Sequence, residues 1–292
     1  MKKHKPAPAA PIIIAFVLAS LDAAVWYQIA AFRGTPPVRD YFLDVGQGDS
    51  ELIIFPDNVK VMTDAGPTDQ VVADLGSVLP PGDAYIDLAV ITHPQADHFN
   101  GYNFLLDHYQ VGAFIYNGRD DDPGVKAWTA LKEKIAARGI PFITLRAGDS
   151  IRYRDDEIDI LSPDAGFAAS AELNDTGLVE LVRTPQFSTL LTADTGFNVE
   201  DWLVAQGGSI HADVLKVGHH GSKYASGDAF LRAVDPEVAV IEVGAKNTYG
   251  HPGSSTLARI ASDTGARLFR TDQDGTVEVY EADGRLRVVK GK

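Results

Sequence analysis

The chain has 292 residues, of which 45% are hydrophobic and 23% are charged, a balance typical of a folded globular protein. With 26 Lys and Arg against 40 Asp and Glu, the formal net charge is −14, which argues against sequence-independent coating of DNA because the phosphate backbone is repelled. The absence of cysteine excludes disulfide frameworks, thiolate zinc sites and thiol nucleophiles. A transition-metal site must therefore use His, Asp and Glu, and there are only 8 histidines.

Residues 11–32 form an apolar segment in which Asp22 is the only charged residue. As a helix this segment extends about 33 Å, enough to cross a bilayer core. Lysines precede it and arginines follow it, a weak bias that favours a cytoplasmic N-terminus. We therefore expect a cytoplasmic tail over 1–10, a single-pass transmembrane anchor over 11–32, a linker over 33–39 and an extracytoplasmic domain over 40–292. The alternatives are a cleaved signal peptide, which would leave a secreted domain, and a buried helix of a soluble protein.

From residue 41 onward, short apolar runs alternate with Gly, Asp, Asn and Pro, a pattern that predicts strands and turns. The predicted strands are 41–45, 51–55, 59–63, 86–92, 142–145, 157–161, 177–183, 188–193, 212–217, 237–243, 267–270 and 276–281. The predicted helices are 70–79, 98–108, 125–138, 198–206, 227–234 and 255–264. Because clusters of strands alternate with helices, we expect two packed mixed sheets with helices outside.

Histidine and aspartate residues collect directly after several predicted strands, which is where active sites of sheet proteins form. The potential ligands in these segments are His93, Asp97, His98, Asp194, His219, His220 and His251. Imidazole and carboxylate groups are the ligands that suit divalent transition metals. The competing interpretations are a polar strand-to-helix loop with Asp97 as an N-cap, and a surface loop for the paired histidines.

Six segments, in this order, carry the pattern: YFLDVGQGDS (41–50), TDAGP (63–67), THPQADHFNG (92–101), TADTG (192–196), VLKVGHHGS (214–222) and NTYGHP (247–252). Together they resemble the metallo-β-lactamase superfamily, and within it the soluble hydrolase domain of competence DNA-uptake channel proteins (ComEC-like). The resemblance covers about residues 40–281. It implies an α+β fold, an αββα sandwich of two packed mixed sheets, with a metal site at one edge between the sheets.

The resemblance also implies roles for particular residues. The implied metal ligands are His93, Gln95, Asp97, His98, Asp194 and one or other of His219 and His220. The implied supporting residues, which shape the floor of the site and hydrogen-bond to the ligands, are Gly46, Gly48, Asp49 and Asp64. We expect Asp97 or Asp194 to orient the attacking hydroxide. We expect His251 to donate a proton or contact phosphate, and His251 or Lys223 to neutralise charge in the transition state.

Two positions depart from the family pattern. Gln95 stands where the family usually has a second histidine, and a carboxamide oxygen is a weaker ligand for zinc than an imidazole nitrogen. Asn174 lies in the stretch where the wider superfamily has another histidine, and the resemblance implies that competence-type relatives likewise tend to have Asn there. We therefore expect one secure ion and one weak or absent ion, with Zn²⁺ or Mn²⁺ as the metal.

The function expected from these residues is metal-assisted hydrolysis, in which the ion lowers the pKa of a bound water towards about 7. The resemblance implies a phosphoester substrate, with single-stranded DNA as one possibility, and we expect no stable binding of duplex nucleic acid. The alternative is a catalytically inactive, membrane-tethered scaffold or binding module, suggested by the lost ligand at Gln95.

Overall fold

The structure is a computed structural model that describes residues 10–31, 37–120 and 125–292. The chain divides into two compact units, Met1–Pro36 and Pro37–Lys292. Helix α1 (Ala10–Ala31) lies in the first unit, where the sequence predicts an apolar helix. Within the described residues, no helix combines the length and the apolar character needed to cross a membrane. The transmembrane anchor predicted over 11–32 therefore has no support in the structure.

The described part of the second unit consists of strands and short helices. The strands are β1 (Arg39–Phe42), β2 (Glu51–Ile54), β3 (Lys60–Thr63), β4 (Tyr85–Ile91), β5 (Gln110–Tyr116), β6 (Phe142–Thr144), β7 (Ser150–Tyr153), β8 (Asp156–Ser162), β9 (Val179–Arg183), β10 (Ser188–Leu191), β11 (Val214–Lys216), β12 (Val238–Ile241), β13 (Arg267–Arg270), β14 (Val277–Ala282) and β15 (Arg285–Lys290). The helices are α2 (Gln70–Val78), α3 (Ala96–Phe99), α4 (Tyr102–Leu105), α5 (Lys126–Ala137), α6 (Phe197–Ala205), α7 (Asp228–Val234), α8 (Ser254–Asp263) and α9 (Thr271–Asp274).

These strands form two mixed sheets in the described region. The first has the order β15-β14-β1-β2-β3-β4-β5-β6 and the second has the order β13-β12-β11-β10-β9-β8-β7. Strands β3 to β6 are parallel in the first sheet, and β10 to β13 are parallel in the second. The carboxyl ends of parallel strands lie at one edge of a sheet, so the polar loops after β4, β10 and β11 can meet there.

Three apolar clusters define the layers of the sandwich. Phe42 and Ile53 of the first sheet pack with Val182 and Leu191 of the second, and this cluster lies between the sheets. A second cluster lies between the first sheet and helices α2 to α5, and a third between the second sheet and helices α6 to α8. The layers confirm the predicted α+β arrangement of two packed mixed sheets with helices outside.

The structure differs from the sequence prediction in several elements. Strands β5, β7 and β15 were not predicted, although Asp283-Gly284 between two alternating runs is a strong hairpin signal for β14 and β15. The single helix predicted over 98–108 is two short helices, α3 and α4. The helix is interrupted because the N–H of Gly101 donates to Gly66 O at 2.8 Å, while Asp97 O accepts from the N–H of Asp49 at 3.3 Å.

Asp40 is a buried acid that connects the two sheets. It lies on β1 and is fully buried, and its Oδ2 accepts a hydrogen bond of 2.8 Å from Thr189 Oγ1 on β10. Its Oδ1 has no hydrogen-bond partner in the described ranges. Burial raises the pKa of Asp40 to about 7, although the hydrogen bond from Thr189 opposes this.

Asp40 makes the stability of the domain depend on pH. Between about pH 4 and pH 7 the folded chain keeps a proton on Asp40 that the unfolded chain releases, so the free energy of unfolding should fall as pH rises through this window. We expect Asp40→Asn to remove much of this slope and to be more stable than the wild type at pH 8 by about 2 kcal/mol.

Urea unfolding at pH 5 and pH 8 measures the effect. Thr189→Val is the matched comparison, because it keeps the acid but removes its hydrogen-bond donor. The pKa of Asp40 should then rise further, so the loss of stability between pH 5 and pH 8 should be larger. Identical pH profiles for the wild type and Asp40→Asn would contradict the assignment.

Candidate metal centre

Loops from both sheets bring the candidate ligands together. The loop after β4 leads into α3, which carries Asp97 and His98 in its single turn. Asp194 follows β10, and His220 lies in the tight turn Gly218–Gly221 after β11. Each loop therefore begins at the carboxyl end of a buried strand, as the sequence predicts.

Asp97, His98, Asp194 and His220 each place one ligand atom within 4.8 Å of the others. We call these four residues the metal cluster. Asp194 Oδ2 lies 3.3 Å from His98 Nε2 and 3.4 Å from His220 Nε2, and Asp97 Oδ2 lies 3.5 Å from His220 Nε2. Two imidazoles and two carboxylates form a donor set that suits Zn²⁺ or Mn²⁺.

Unpaired polar atoms inside the metal cluster point to the same conclusion. Nε2 of His98, Nε2 of His220 and Oδ1 of Asp194 are buried and have no hydrogen-bond partner among the residues described. Buried polar atoms are normally paired, and each exception needs an explanation. A divalent cation held by these atoms would satisfy them, so the residues fit the group that the sequence resemblance implies.

The geometry separates the paired histidines, which the sequence could not do. His220 is 2% exposed and belongs to the metal cluster, whereas the side chain of His219 is 32% exposed and its Nε2 lies 3.9 Å from Asp194 Oδ2. Asn174 Nδ2 lies 3.4 Å from both ring nitrogens of His219. Both histidines have left-handed φ angles, 48° and 52°, which are strained for residues with a Cβ and are typical of functional turns.

His93 and Gln95 lie beside the metal cluster and outside it. Gln95 Nε2 donates to Asn174 Oδ1 at 2.6 Å, and His93 Nδ1 lies 3.0 Å from Thr92 Oγ1. Burial lowers the pKa of His93 to about 4, so its ring is neutral at pH 7, and its buried Nε2 has no partner in the described part of the chain. Gln95 and Asn174 occupy the two positions where the sequence resemblance implies histidines in the wider family, and here their side chains are hydrogen-bonded to each other.

Two aspartates, Asp64 and Asp49, contact the Nδ1 atoms of His98 and His220 and so orient both rings. Asp64 Oδ2 accepts from His98 Nδ1 at 2.7 Å and from Thr92 Oγ1 at 2.6 Å. His220 Nδ1 donates to Glu242 O at 3.0 Å, and Asp49 Oδ1 lies 3.1 Å from the same nitrogen. With their Nδ1 atoms engaged as donors, both rings direct the lone pair of Nε2 into the metal cluster.

Gly48 allows Asp49 to reach this position. A Cβ at Gly48 would lie 2.3 Å from Asp97 O, and the residue has a φ of +148°. This close approach brings the loop after β1 against α3 and lets the N–H of Asp49 donate to that carbonyl. Gly46 has a φ of +84° with open space around it, so its role is to permit the turn.

A second acidic group lies beneath the metal cluster. It consists of Asp49, Glu51 and Glu242, all fully buried or nearly so. Lys216, also fully buried, forms an ion pair with Asp49 and donates to Ala193 O at 2.8 Å. Burial opposes the charge of Lys216, but Asp49 and Glu51 outweigh it and raise its pKa, while burial and Asp49 raise the pKa of Glu242 to about 8. Lys216 was not predicted, although a lysine inside the apolar strand VLKV is a visible signal.

A pocket of about 400 Å³ opens above the metal cluster. Its lining residues are Gln47, Gln95, Ala96, Asp97, Asn174, Asp194, His219, His220, Tyr249 and His251. His251 lies where the resemblance implies, with its ring centroid 5.5 Å from that of His219. Lys223 is exposed and its Nζ lies over the ring of Tyr224 at 4.8 Å. The structure does not bring Lys223 to the pocket, so the role predicted for it is not supported.

Comparisons with known proteins identify a family profile and several relatives that match most of this chain. The sequence profile of the metallo-beta-lactamase superfamily matches residues 43–244. ComE operon protein 3 of Bacillus subtilis is 32% identical over 259 residues, which are 81% of this chain and 32% of that protein. Competence protein ComA of Neisseria gonorrhoeae is 30% identical over 258 residues, 85% of this chain and 33% of that protein. The chain thus spans about a third of the length of these curated relatives.

The fold is also found among solved structures. Igni18, a metallo hydrolase from Ignicoccus hospitalis, aligns with a TM-score of 0.51 at 14% sequence identity. The alignment covers 83% of this chain and 98% of that one.

Lys216 should be essential to stability because it compensates buried negative charge. We expect Lys216→Met to lower the free energy of unfolding by about 3–5 kcal/mol, since one partner of a buried ion pair is left alone. The double variant Lys216→Met/Asp49→Asn should recover part of this loss, because neither charge then remains. Urea unfolding of the metal-free protein measures both, and a double variant no more stable than Lys216→Met would contradict the account.

Proposed function

The chain belongs to the metallo-beta-lactamase superfamily, whose members are metal-dependent hydrolases, and we propose that it is a phosphodiesterase with one well-formed metal site. The observation that carries the proposal is the metal cluster of Asp97, His98, Asp194 and His220, whose buried and unpaired atoms converge. Zn²⁺ or Mn²⁺ is the proposed ion. A divalent ion bound there supplies a Lewis acid, which polarises a phosphoryl oxygen and acidifies water.

Two side chains that line the pocket, Asp97 and His251, have proposed roles in the reaction. The side chain of Asp97 is 29% exposed and borders the pocket, so we propose that it orients the attacking water. Burial would raise the pKa of Asp97, but the imidazole of His220, whose Nε2 lies 3.5 Å from Asp97 Oδ2, and the charge of His98 hold it at about 2, which keeps this carboxylate ionised at neutral pH. His251, on the pocket wall, is placed to hydrogen-bond to the leaving oxygen or to a phosphate oxygen.

We propose that a single ion suffices. A second ion would take His93, Gln95 and Asp194 as ligands, but Gln95 is bonded to Asn174, and a carboxamide is a weak ligand. Two relatives are named as a ComE operon protein and a competence protein, and we propose single-stranded DNA as the substrate because the sequence resembles competence DNA-uptake proteins. The net charge of −14 does not favour binding of duplex DNA.

A catalytically inactive scaffold is the second candidate function. The hydrogen bond between Gln95 and Asn174 favours it, because it replaces two metal ligands by a contact within the protein. The intact metal cluster favours the hydrolase, since a site without function has no reason to keep buried and unpaired atoms.

Metal-dependent turnover separates the two functions. With Mn²⁺ or Zn²⁺ the purified chain should hydrolyse bis(p-nitrophenyl) phosphate and a single-stranded oligonucleotide, and EDTA should stop both reactions. Asp97→Asn should lower kcat/KM by more than about 100-fold, beyond the loss typical of residues outside the ligand set. Asp155→Asn is the matched control, because it changes an exposed acid that does not line the pocket.

Elemental analysis of the same samples should give one ion per chain. Gln95→His should raise this number by restoring an imidazole ligand. Bound metal without turnover under any condition would favour the scaffold, and an unchanged metal content in Gln95→His would contradict the account of the weak half of the site.

We also propose that α1 attaches the protein to the cell membrane, with the hydrolase unit outside the cytoplasm. Large apolar side chains of α1 are 51–76% exposed: Ile13, Ile14, Phe16, Val17, Leu18, Leu21, Val25, Trp26 and Tyr27. Exposed apolar surface on this scale marks an interaction site.

Flotation with lipid vesicles tests this attachment. The full chain should float with the vesicles, whereas Ile14→Asp/Leu18→Asp should stay at the bottom of the gradient, because charge in the apolar segment opposes insertion. Digestion of the hydrolase unit by protease added to intact cells reports its side of the membrane. Flotation of both proteins alike would contradict the attachment.

A further inference from the structure

The metal cluster lies in the middle of an open trough. The central pocket shares Asp97 and Tyr249 with a second pocket of about 390 Å³, and shares Asn174 and His219 with a third of about 310 Å³. The second and third pockets have no lining residue in common. A linear molecule can therefore extend from the metal cluster in two directions.

One direction favours phosphate. Lys246 lines the second pocket, which we call the lysine arm, and Asp97 of the metal cluster is its only acidic lining residue in the part of the chain described. Tyr249 is 70% exposed, and its ring lies nearly parallel to that of His251, at an interplanar angle of 14° and a centroid distance of 5.9 Å. An exposed aromatic ring beside a lysine suits a base stacked above a phosphodiester backbone.

The other direction disfavours phosphate. Glu172 and Asp175 line the third pocket, which we call the acidic arm, together with the rings of Phe197 and Tyr224. Tyr224 is 64% exposed. Carboxylates repel a phosphate but accept hydrogen bonds from the amino groups of bases, and the exposed ring of Tyr224, with Lys223 Nζ 4.8 Å from its centroid, offers a stacking surface.

A buried and unpaired atom marks the point between the arms. Asp194 lines both the central pocket and the acidic arm, is 1% exposed, and its Oδ1 has no partner within the described residues. The cation that the metal cluster would hold satisfies this atom, so the point between the two arms is the metal site itself.

Resting on the proposed function, we propose that the trough binds the end of a single-stranded polynucleotide and removes its terminal nucleotide. The terminal nucleoside, with a free hydroxyl, occupies the acidic arm. The scissile phosphate lies over the metal cluster, and the rest of the strand follows the lysine arm past Tyr249 and Lys246. A terminal phosphate is excluded because it would place a further negative charge beside Glu172 and Asp175.

In this proposal the bond on the side of the lysine arm breaks. His251 lines the central pocket with its ring beside that of Tyr249, so it can reach the oxygen of the strand in that arm. The oxygen of water forms a bond to phosphorus, and the bond from phosphorus to the oxygen of that strand breaks. This oxygen takes up a proton and becomes a hydroxyl. The terminal unit leaves as a nucleoside monophosphate, and the shortened strand again ends in a hydroxyl that fits the acidic arm.

Oligonucleotides with different ends test the proposal on the full metal-loaded chain. The probes are one single-stranded 12-mer with hydroxyls at both ends, and the same 12-mer with a phosphate at the 5′ end, the 3′ end or both. A phosphate on the end that enters the acidic arm, either the 5′ or the 3′ end, should slow degradation at least about tenfold, and a phosphate on the other end should not. Mononucleotides should be the first products. Glu172→Gln/Asp175→Asn should reduce this discrimination, whereas Glu133→Gln, an exposed acid on α5, should leave it unchanged.

The outcomes separate this inference from the proposed function. Equal rates for all four oligonucleotides, or internal fragments as the first products, would overturn the end specificity while hydrolysis of bis(p-nitrophenyl) phosphate still supports a phosphodiesterase. Failure to hydrolyse bis(p-nitrophenyl) phosphate with any divalent ion would overturn both.

Discussion

The ion pair between Lys216 and Asp49 is the contact on which the architecture of the site depends. Acidic groups crowd the space beneath the metal cluster, and burial alone would raise the pKa of each of them. The lysine lowers the pKa of Asp49, so this carboxylate stays charged, while the pKa of Glu51 lies well above its usual range. A charged Asp49 can then support His220, and the histidine presents Nε2 to the metal cluster. The geometry of the ligands thus rests on how buried charge is compensated behind them.

The sequence predicted the layers of the fold and the position of the site for a clear reason. Buried strands such as 86–92 and 212–217 are apolar runs that end abruptly in polar residues, so the ends of the strands and the candidate ligands appear in the same motif. Features that depend on partners far along the chain were less visible. The break between α3 and α4 arises from hydrogen bonds to Gly66 and Asp49, which no local pattern of 98–108 contains.

The choice between His219 and His220 shows the same limit. The sequence does not distinguish two adjacent histidines in a tight turn. The structure separates them because His220 is buried within the metal cluster, whereas the side chain of His219 is 32% exposed. Lys223 was predicted, as an alternative to His251, to neutralise charge on the substrate, but its ammonium group lies over the ring of the neighbouring Tyr224. Lys216 was overlooked because its partner lies 167 positions away.

The origin of the ligands in two different sheets has a consequence for folding. Asp97 and His98 follow a strand of the first sheet, whereas Asp194 and His220 follow strands of the second. Neither sheet alone presents the full set of donors, so tight binding requires the assembled sandwich. Any ligand that binds only the native state adds stability by mass action, about 2.7 kcal/mol at 100 times its dissociation constant. The cation would therefore hold the two sheets together, and its concentration would determine how readily the sheets separate.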